Sequence, residues 1–211
     1  MKPERPVGDV ARRIMAFEAV HMRSLVLWAR RRRDGVGPGD TPLPYSGAQT
    51  ATMAAFLVAM LIELVGLEII LRAVGAPAWL RAVVFVIDAY SVLIVLAVIA
   101  ACVSRPHVVS DGELRLRYGA FFDLRIPRER IAAVRQVRNY NENGLIRIED
   151  GGLAVVVGSQ TSVVVELTGP VTAVRPLGGR AEVTSVRFYT DDPRAALAAL
   201  RPSQEPDAVT R

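Results

Sequence analysis

Two near-continuous apolar runs dominate the middle of the chain. Residues 51–71 read ATMAAFLVAMLIELVGLEIIL, and residues 79–103 read WLRAVVFVIDAYSVLIVLAVIAACV. Each run has the ~20 residues that an α-helix needs to cross a hydrocarbon core of ~30 Å. Gly75 and Pro77 lie between the runs, where they end one helix and start the next. The pattern predicts a transmembrane hairpin over 51–103, with helices at 51–73 and 79–103.

The segment before the hairpin has helical periodicity with a basic face. At 100° per residue, Val10, Ile14, Phe17 and Trp28 share one arc, which Glu18 interrupts. Such a helix is typical of the headgroup boundary, although packing on the other domain or on a partner chain is an alternative. We predict a basic amphipathic helix over 1–33. Its possible headgroup-binding residues are Arg12, Arg13, Arg23, Arg30, Arg31, Arg32 and Arg33.

After the hairpin the pattern changes from helical to alternating. Residues 104–202, after the hairpin, contain short alternating runs separated by turns. Residues 34–50, before the hairpin, are rich in Gly and Pro and are predicted as a linker. Asp192 and Pro193 then suit the N-cap and first position of a helix. We expect an antiparallel β-sandwich or partly open barrel of seven or eight strands with a C-terminal capping helix. Residues 203–211 are expected to form a flexible tail.

Several stretches of this β region resemble a known family. Residues 105–119, RPHVVSDGELRLRYG, and 124–134, LRIPRERIAAV, look like the opening of bacterial PH-like domains. The closing VELTGP and DPRAAL are similar to actinobacterial integral membrane proteins that carry this domain. The resemblance covers about residues 105–201 and implies a PH-like fold in an α+β membrane protein. It supplies no catalytic residues, and the basic residues here form no diagnostic phosphoinositide motif.

Ionisable side chains within the apolar runs need partners or protons, because a charge at bilayer depth is costly. Glu68 and Arg72 are four residues apart and can form an ion pair. Folding the hairpin about residue 76 places Asp88 at a depth between Glu63 and Glu68, and we expect Glu63 to face protein. We favour carboxyls that join helices or subunits; the alternative is a proton-coupled or ion-sensing site of Glu63 and Asp88.

The charge distribution predicts an orientation. The chain has 26 Lys and Arg against 21 Asp and Glu, a formal net charge of +5. Basic residues flank the outer ends of the two runs, with Arg30–Arg33 before the first and Arg105 after the second. Both termini are therefore expected to be cytoplasmic in a multi-pass protein of the cell membrane. Nucleic-acid binding is not expected, because aromatic side chains are not interleaved with the arginines.

The sequence carries no recognisable catalytic motif. Cys102 is the single cysteine, and His21 and His107 are far apart, so we predict no disulfide, metal site or cofactor. We expect a non-enzymatic integral membrane protein whose cytoplasmic PH-like domain binds a protein or anionic lipid headgroups as a scaffold. Its partners would be the bilayer and either another protein or a second copy. The alternative is a small accessory subunit of a transporter or membrane sensor that uses the intramembrane carboxyls.

Overall fold

The computed structural model describes residues 7–175 and 178–201, with side chains described from Glu18 onward. Within these ranges the helices are α1 (Val7–Ala29), α2 (Gly47–Ala73), α3 (Ala78–Ser104) and α4 (Pro193–Leu200). The strands are β1 (Thr41–Leu43), β2 (His107–Val109), β3 (Glu113–Tyr118), β4 (Phe122–Pro127), β5 (Ile131–Tyr140), β6 (Ile146–Glu149), β7 (Gly152–Val155), β8 (Gln160–Val174) and β9 (Arg180–Phe188). A 3₁₀ turn, Arg128–Arg130, precedes β5.

The chain divides into two compact units. The helical unit contains the chain up to Gly35, then Ser46–Pro106, and the tip of the β3–β4 hairpin, Arg117–Phe122. The β unit contains Val36–Tyr45, His107–Leu116 and the chain from Asp123 onward. The Gly- and Pro-rich segment predicted as a linker therefore contributes strand β1 to the β unit.

Helices α2 and α3 are the two predicted apolar helices, and both are present. Each has 27 residues, about 40 Å at 1.5 Å per residue. By length and composition both can cross a membrane. In the most apolar 18-residue stretch of each helix, the buried share is 0% for α2 and 6% for α3. The core helix of a soluble protein is, by contrast, mostly buried. The first helix begins at Gly47, four residues before the predicted start.

The connection between α2 and α3 is a tight turn of the predicted kind. Gly75 adopts a left-handed conformation with φ 71°. The N–H of Gly75 donates to the carbonyl of Arg72, and the N–H of Ala76 donates to that of Leu71, at 3.1 and 2.9 Å. This pair of bonds is a Schellman motif, which satisfies the last helical carbonyls. Pro77 then starts α3 as its N-cap residue.

The β unit contains two sheets, which do not form a closed barrel. One sheet has the order β1-β2-β3-β4, and the other has the order β5-β8-β9-β7-β6. The prediction of purely antiparallel pairing is wrong, because β7 runs parallel to β9. Strands β6 and β7 form a hairpin that joins the five-stranded sheet beside β9, and β8 occupies the other edge of β9.

Strand β8 contains Gly169 and Pro170, two residues that are typical of turns. It runs unbroken through Gly169 and Pro170, with a shift in its register against β9 between Glu166 and Val171. Pro170 has no N–H to donate to a neighbouring strand. The turn-forming residues therefore disrupt the ladder locally without ending the strand.

His107 lies at the centre of the β unit. Its ring stacks on Tyr45 at 4.5 Å between centroids and meets Phe188 edge-on at 5.3 Å. Its Nε2 lies 3.0 Å from the carbonyl oxygen of Tyr189. The buried aliphatic residues of the same unit include Leu114, Leu116, Ile126, Leu153, Val155, Val163, Val165 and Val186. His107 is therefore a core residue of the β unit, packed between two aromatic rings.

Helix α4 begins as the sequence predicts. The Asp192 side chain accepts a hydrogen bond of 3.0 Å from the Ala195 N–H, and Pro193 occupies the first helical position. Ala196 and Leu200 are buried. The helix packs against strands β1, β2, β5 and β8, and so covers one part of the β unit where both sheets contribute.

Removing the cap of α4 should destabilise the β unit. We expect Asp192→Ala to lower the free energy of unfolding by about 1 kcal/mol, because one N-terminal N–H loses its acceptor. Asp192→Asn retains an acceptor and should keep most of that stability. Thermal unfolding of the full chain in mild detergent measures both. Equal losses in the two variants would contradict the capping role.

Candidate functional site at the cationic end of the helical unit

Helix α1 packs along α3 instead of lying apart at a membrane surface. The Tyr90 hydroxyl of α3 donates a 2.9 Å hydrogen bond to Oε1 of Glu18. His21 and Ser24 are buried, and the His21 ring meets Phe121 edge-on at 5.5 Å. The sequence predicts a helix at the headgroup boundary, with packing on another domain or chain as the alternative. It does not identify α3 as the partner of α1. Glu18, His21 and Ser24 therefore lie on the side of α1 that faces the rest of the helical unit.

The end of α1 uses an arginine where glycine is usual. The N–H of Arg31 donates to the carbonyl of Trp28, and the N–H of Arg32 donates to that of Leu27, at 2.9 and 2.8 Å. These bonds form a Schellman motif with Arg31 at the left-handed position, at φ 52°. A left-handed residue with a Cβ costs roughly 1–2 kcal/mol relative to the right-handed conformation. The chain here keeps a charged side chain at a position that favours glycine.

Asp34 follows this turn and gathers three arginines from different parts of the helical unit. Its carboxylate lies 3.2 Å from Nε of Arg105, 3.7 Å from Nη2 of Arg23 and 3.8 Å from Nη1 of Arg117. Its N–H donates to the carbonyl of Ser104 at the end of α3, at 2.8 Å. A single acid therefore joins the end of α1, the end of α3 and the hairpin tip.

Arg117 is the buried member of this cluster. Its side chain is 0% exposed. Its Nη1 donates to the carbonyl of Asp34 at 2.8 Å, and its Nη2 donates to the carbonyl of Gly35 at 3.2 Å. A buried guanidinium needs such acceptors, because an uncompensated buried charge costs several kcal/mol.

Four consecutive arginines, Arg30–Arg33, form a cationic patch beside this cluster. All four are exposed, and none forms an ion pair with an acid whose side chain is described. Asp34, the adjacent acid, is occupied by Arg23, Arg105 and Arg117. The patch therefore carries about four uncompensated positive charges at the C-terminal end of α1, where the helix dipole favours cations. The side chains of Arg12 and Arg13 lie outside the described residues.

An apolar groove of about 180 Å³ lies among α1, α2 and α3. Trp28 borders it, two residues before the cationic patch, together with Met53 and Leu57 of α2 and Leu96 and Ile99 of α3. The polar side chains of Ser46, Gln49 and Thr50 line the start of α2 in the same groove. Its dimensions and lining suit a hydrocarbon chain.

A buried hydrogen bond anchors the start of α2. The Tyr118 hydroxyl donates to Oε1 of Gln49 at 2.9 Å. Burial, with a smaller contribution from Cys102, raises the pKa of Tyr118 to about 12. The phenol therefore remains a neutral donor throughout the physiological pH range.

The Glu68 carboxylate forms a three-residue cluster near the loop of the hairpin. Its Oε1 lies 2.6 Å from Nε of Arg72, on the same helix, and 2.7 Å from Nη2 of Arg81 on α3. The sequence spacing indicated the first contact and missed the second. Arg81 could have been found by folding the hairpin about residue 76, which places it opposite Leu71 and Arg72.

The other two carboxyls in the apolar helices are not brought together. Glu63 is exposed on α2, so no other described part of the chain covers it. Its neighbours Ile62 and Val65 are 68% and 59% exposed, which places it on an apolar surface. The Asp88 Oδ2 is buried without a hydrogen-bond partner among the described residues. No hydrogen bond links Glu63 to Asp88 in that part of the chain, so a joint ion site gains no geometric support.

Sequence analysis missed Asp34 and Arg117, the residues that organise this end of the unit. Arg117 alternates with Leu116 just as Arg115 does with Leu114, so both arginines were placed on the polar face of β3. The structure buries Arg117 because the hairpin tip joins the helices, whereas Arg115 pairs with Asp123 at 2.9 Å on a partly exposed surface. The hydropathy pattern of the sequence does not distinguish the buried arginine from the partly exposed one.

Comparisons with protein-family models, curated proteins and solved structures give no match to this chain. The functional argument therefore depends on the side chains themselves.

Replacing the buried arginine should cost far more stability than replacing its neighbour. We expect Arg117→Met to lower the free energy of unfolding by about 3 kcal/mol, because the carboxylate and two carbonyls lose a buried cation. Arg115→Met removes a partly exposed ion pair on the same strand and should cost under about 1 kcal/mol. Unfolding of the full chain in mixed micelles compares the two. Similar losses would show that Arg117 does not hold this end together.

Proposed function

We propose that this chain is a non-enzymatic protein of the cell membrane that binds anionic lipid headgroups and carries a cytoplasmic binding module. In this proposal α2 and α3 cross the bilayer, and Arg30–Arg33 contact the headgroups. The β unit, PH-like by its sequence resemblance, serves as the scaffold. The observation that carries the proposal is a cluster of four exposed arginines, which pair with no acid whose side chain is described, next to two exposed apolar helices.

The expected electrostatic contribution is substantial. A basic residue near an anionic membrane surface contributes about 1 kcal/mol, so four arginines supply about 4 kcal/mol at moderate salt. That corresponds to roughly a thousandfold in affinity. The attraction should weaken as salt rises, because the Debye length is ≈ 10 Å at 0.1 M ionic strength.

The groove beside the patch supports a single bound lipid as well as a general surface attraction. Trp28 borders the groove and precedes Arg30 by two residues, so an acyl chain in the groove would leave its headgroup near the arginines. Burial of the lipid's acyl chain contributes about 0.8 kcal/mol of binding free energy per CH₂. Headgroup charge and chain burial would then select an anionic phospholipid together.

The orientation follows from the same arginines. Arg30–Arg33 and Arg105 flank the outer ends of the two helices, whereas Arg72 and Arg81 near the connecting loop are engaged with Glu68. The positive-inside rule then favours a cytoplasmic location for Arg30–Arg33, Arg105 and the β unit that follows.

Topology can be tested with single cysteines in a Cys102→Ser background. Val74→Cys, on the exposed connecting turn, should react with a membrane-impermeant maleimide on intact cells. Arg180→Cys, on β9 near Gly178, should react only after the membrane is permeabilised. The opposite labelling pattern would overturn the orientation, and labelling of both sites on intact cells would overturn the membrane hairpin.

Headgroup binding can be tested by titrating the full chain in non-ionic detergent with short-chain phosphatidylglycerol and phosphatidylcholine. We expect clear preference for phosphatidylglycerol, because the patch attracts anions. Replacing Arg30–Arg33 with alanine should weaken that binding about 100-fold or more. Higher salt should weaken binding to the unmodified chain.

The matched control removes the same number of charges from the β unit. Arg125, Arg138, Arg180 and Arg194 are also exposed, and their combined replacement with alanine should leave phosphatidylglycerol binding within about twofold. Equal weakening by both quadruple variants would mean that net charge, and not the patch, is responsible. Equal binding of the two lipids would contradict headgroup recognition.

A further inference from the structure

A second surface lies in the β unit, in a cleft of about 490 Å³ between β5 and the end of α4. It is lined by residues 131–134 of β5 and by Leu197 and Leu200 of α4, with Arg128 and Arg201 among the polar residues. Side chains of consecutive strand residues alternate between the two faces of a sheet. A cleft that touches four consecutive residues therefore runs along the edge of the strand and not over one face.

This edge of β5 is open. The strand is the terminal member of its sheet, and it pairs with β8 on one side. No backbone hydrogen bond joins its other side to another described segment. Strands at a sheet edge present N–H and C=O groups that can pair with an added strand.

The backbone is especially accessible at Ala132. The pairing of β5 with β8 skips this residue, because Ile131 is opposite Leu167 and Ala133 is opposite Glu166. The extra residue of a bulge is left out of the ladder. Ala132 is also exposed, and its small side chain and that of Ala133 allow another backbone to approach closely.

The charges around the edge indicate the kind of segment that fits. Arg138 lies within β5, is exposed and forms no ion pair with a described acid. Arg201 is exposed at the other side of the cleft. Glu129 is the acid among the lining residues, so the surroundings are basic on balance.

We propose that this cleft binds an extended acidic segment of a partner protein by strand addition to β5. Backbone hydrogen bonds would form along the open edge, apolar side chains would enter between β5 and Leu197, and acidic side chains would face Arg138 and Arg201. This inference rests on the proposed function and deepens it, since it names the class of partner that the scaffold recruits. It uses none of the residues that contact headgroups.

Selection from a random decapeptide library tests the proposal. The bait is the full chain in phosphatidylcholine nanodiscs, which are neutral and leave the peptide as the anionic species. Ala132→Trp in the same nanodiscs serves for counter-selection, because a large exposed side chain fills the cleft without disturbing the core. We expect enriched peptides that alternate acidic with β-branched residues.

Affinities of the enriched peptides then locate the site. Fluorescence anisotropy should show binding at least tenfold weaker for Ala132→Trp and for Arg201→Glu. Arg180→Glu, an exposed charge reversal on β9, should bind normally, as should the chain with Arg30–Arg33 replaced by alanine. Hydrogen exchange should show peptide-dependent protection of amides in residues 131–138.

The proposal is overturned if no peptide discriminates the unmodified chain from Ala132→Trp, in which case the edge is a protected one that accepts no strand. It is also overturned if the protected amides lie outside β5, or if the enriched peptides are basic. Loss of phosphatidylglycerol binding in the lipid titration, with peptide binding retained, would instead contradict the headgroup function alone.

Discussion

The burial of the Arg117 guanidinium governs the helical unit. A cation without solvent must be surrounded by acceptors, and the Asp34 and Gly35 carbonyls provide them. Those carbonyls are available because the chain turns sharply after α1 and leaves the helical hydrogen-bonding pattern there. The turn is fixed in its place by the bond from the Asp34 N–H to Ser104. One buried charge thus dictates the path of the backbone between the first helix and the rest of the unit.

The same cluster explains why the neighbouring surface is so positive. Asp34 compensates part of the charge of Arg23, Arg105 and Arg117. It forms no ion pair with the described arginines of the exposed turn. Those arginines are exposed and form no ion pair with an acid whose side chain is described, which leaves them accessible to an external anion. A surface of this kind binds by long-range attraction first and by specific contacts afterwards.

Much of the architecture was predictable because it depends on local patterns. The long apolar runs, the Gly75–Pro77 turn and the Asp192 cap can each be recognised from residues that are close together in the sequence. The errors concern contacts between distant segments: the partner of α1, the burial of Arg117 and the parallel pairing of β7 with β9. Alternation along β3 looks the same for Arg115 and Arg117, and which is buried depends on where the hairpin tip packs. The sequence identifies the arginines of the patch as a charged run. Only the structure shows that no acid with a described side chain pairs with them.

The left-handed Arg31 has a consequence for how this protein can change. Glycine at that position would relieve backbone strain of roughly 1 kcal/mol or more. It would also remove one of the four positive charges of the patch. Stability and charge are therefore opposed at a single residue, and laboratory evolution for heat resistance alone should drift toward glycine there. Selection that also demands membrane contact should retain the arginine and tolerate a helix end that is less stable than it could be.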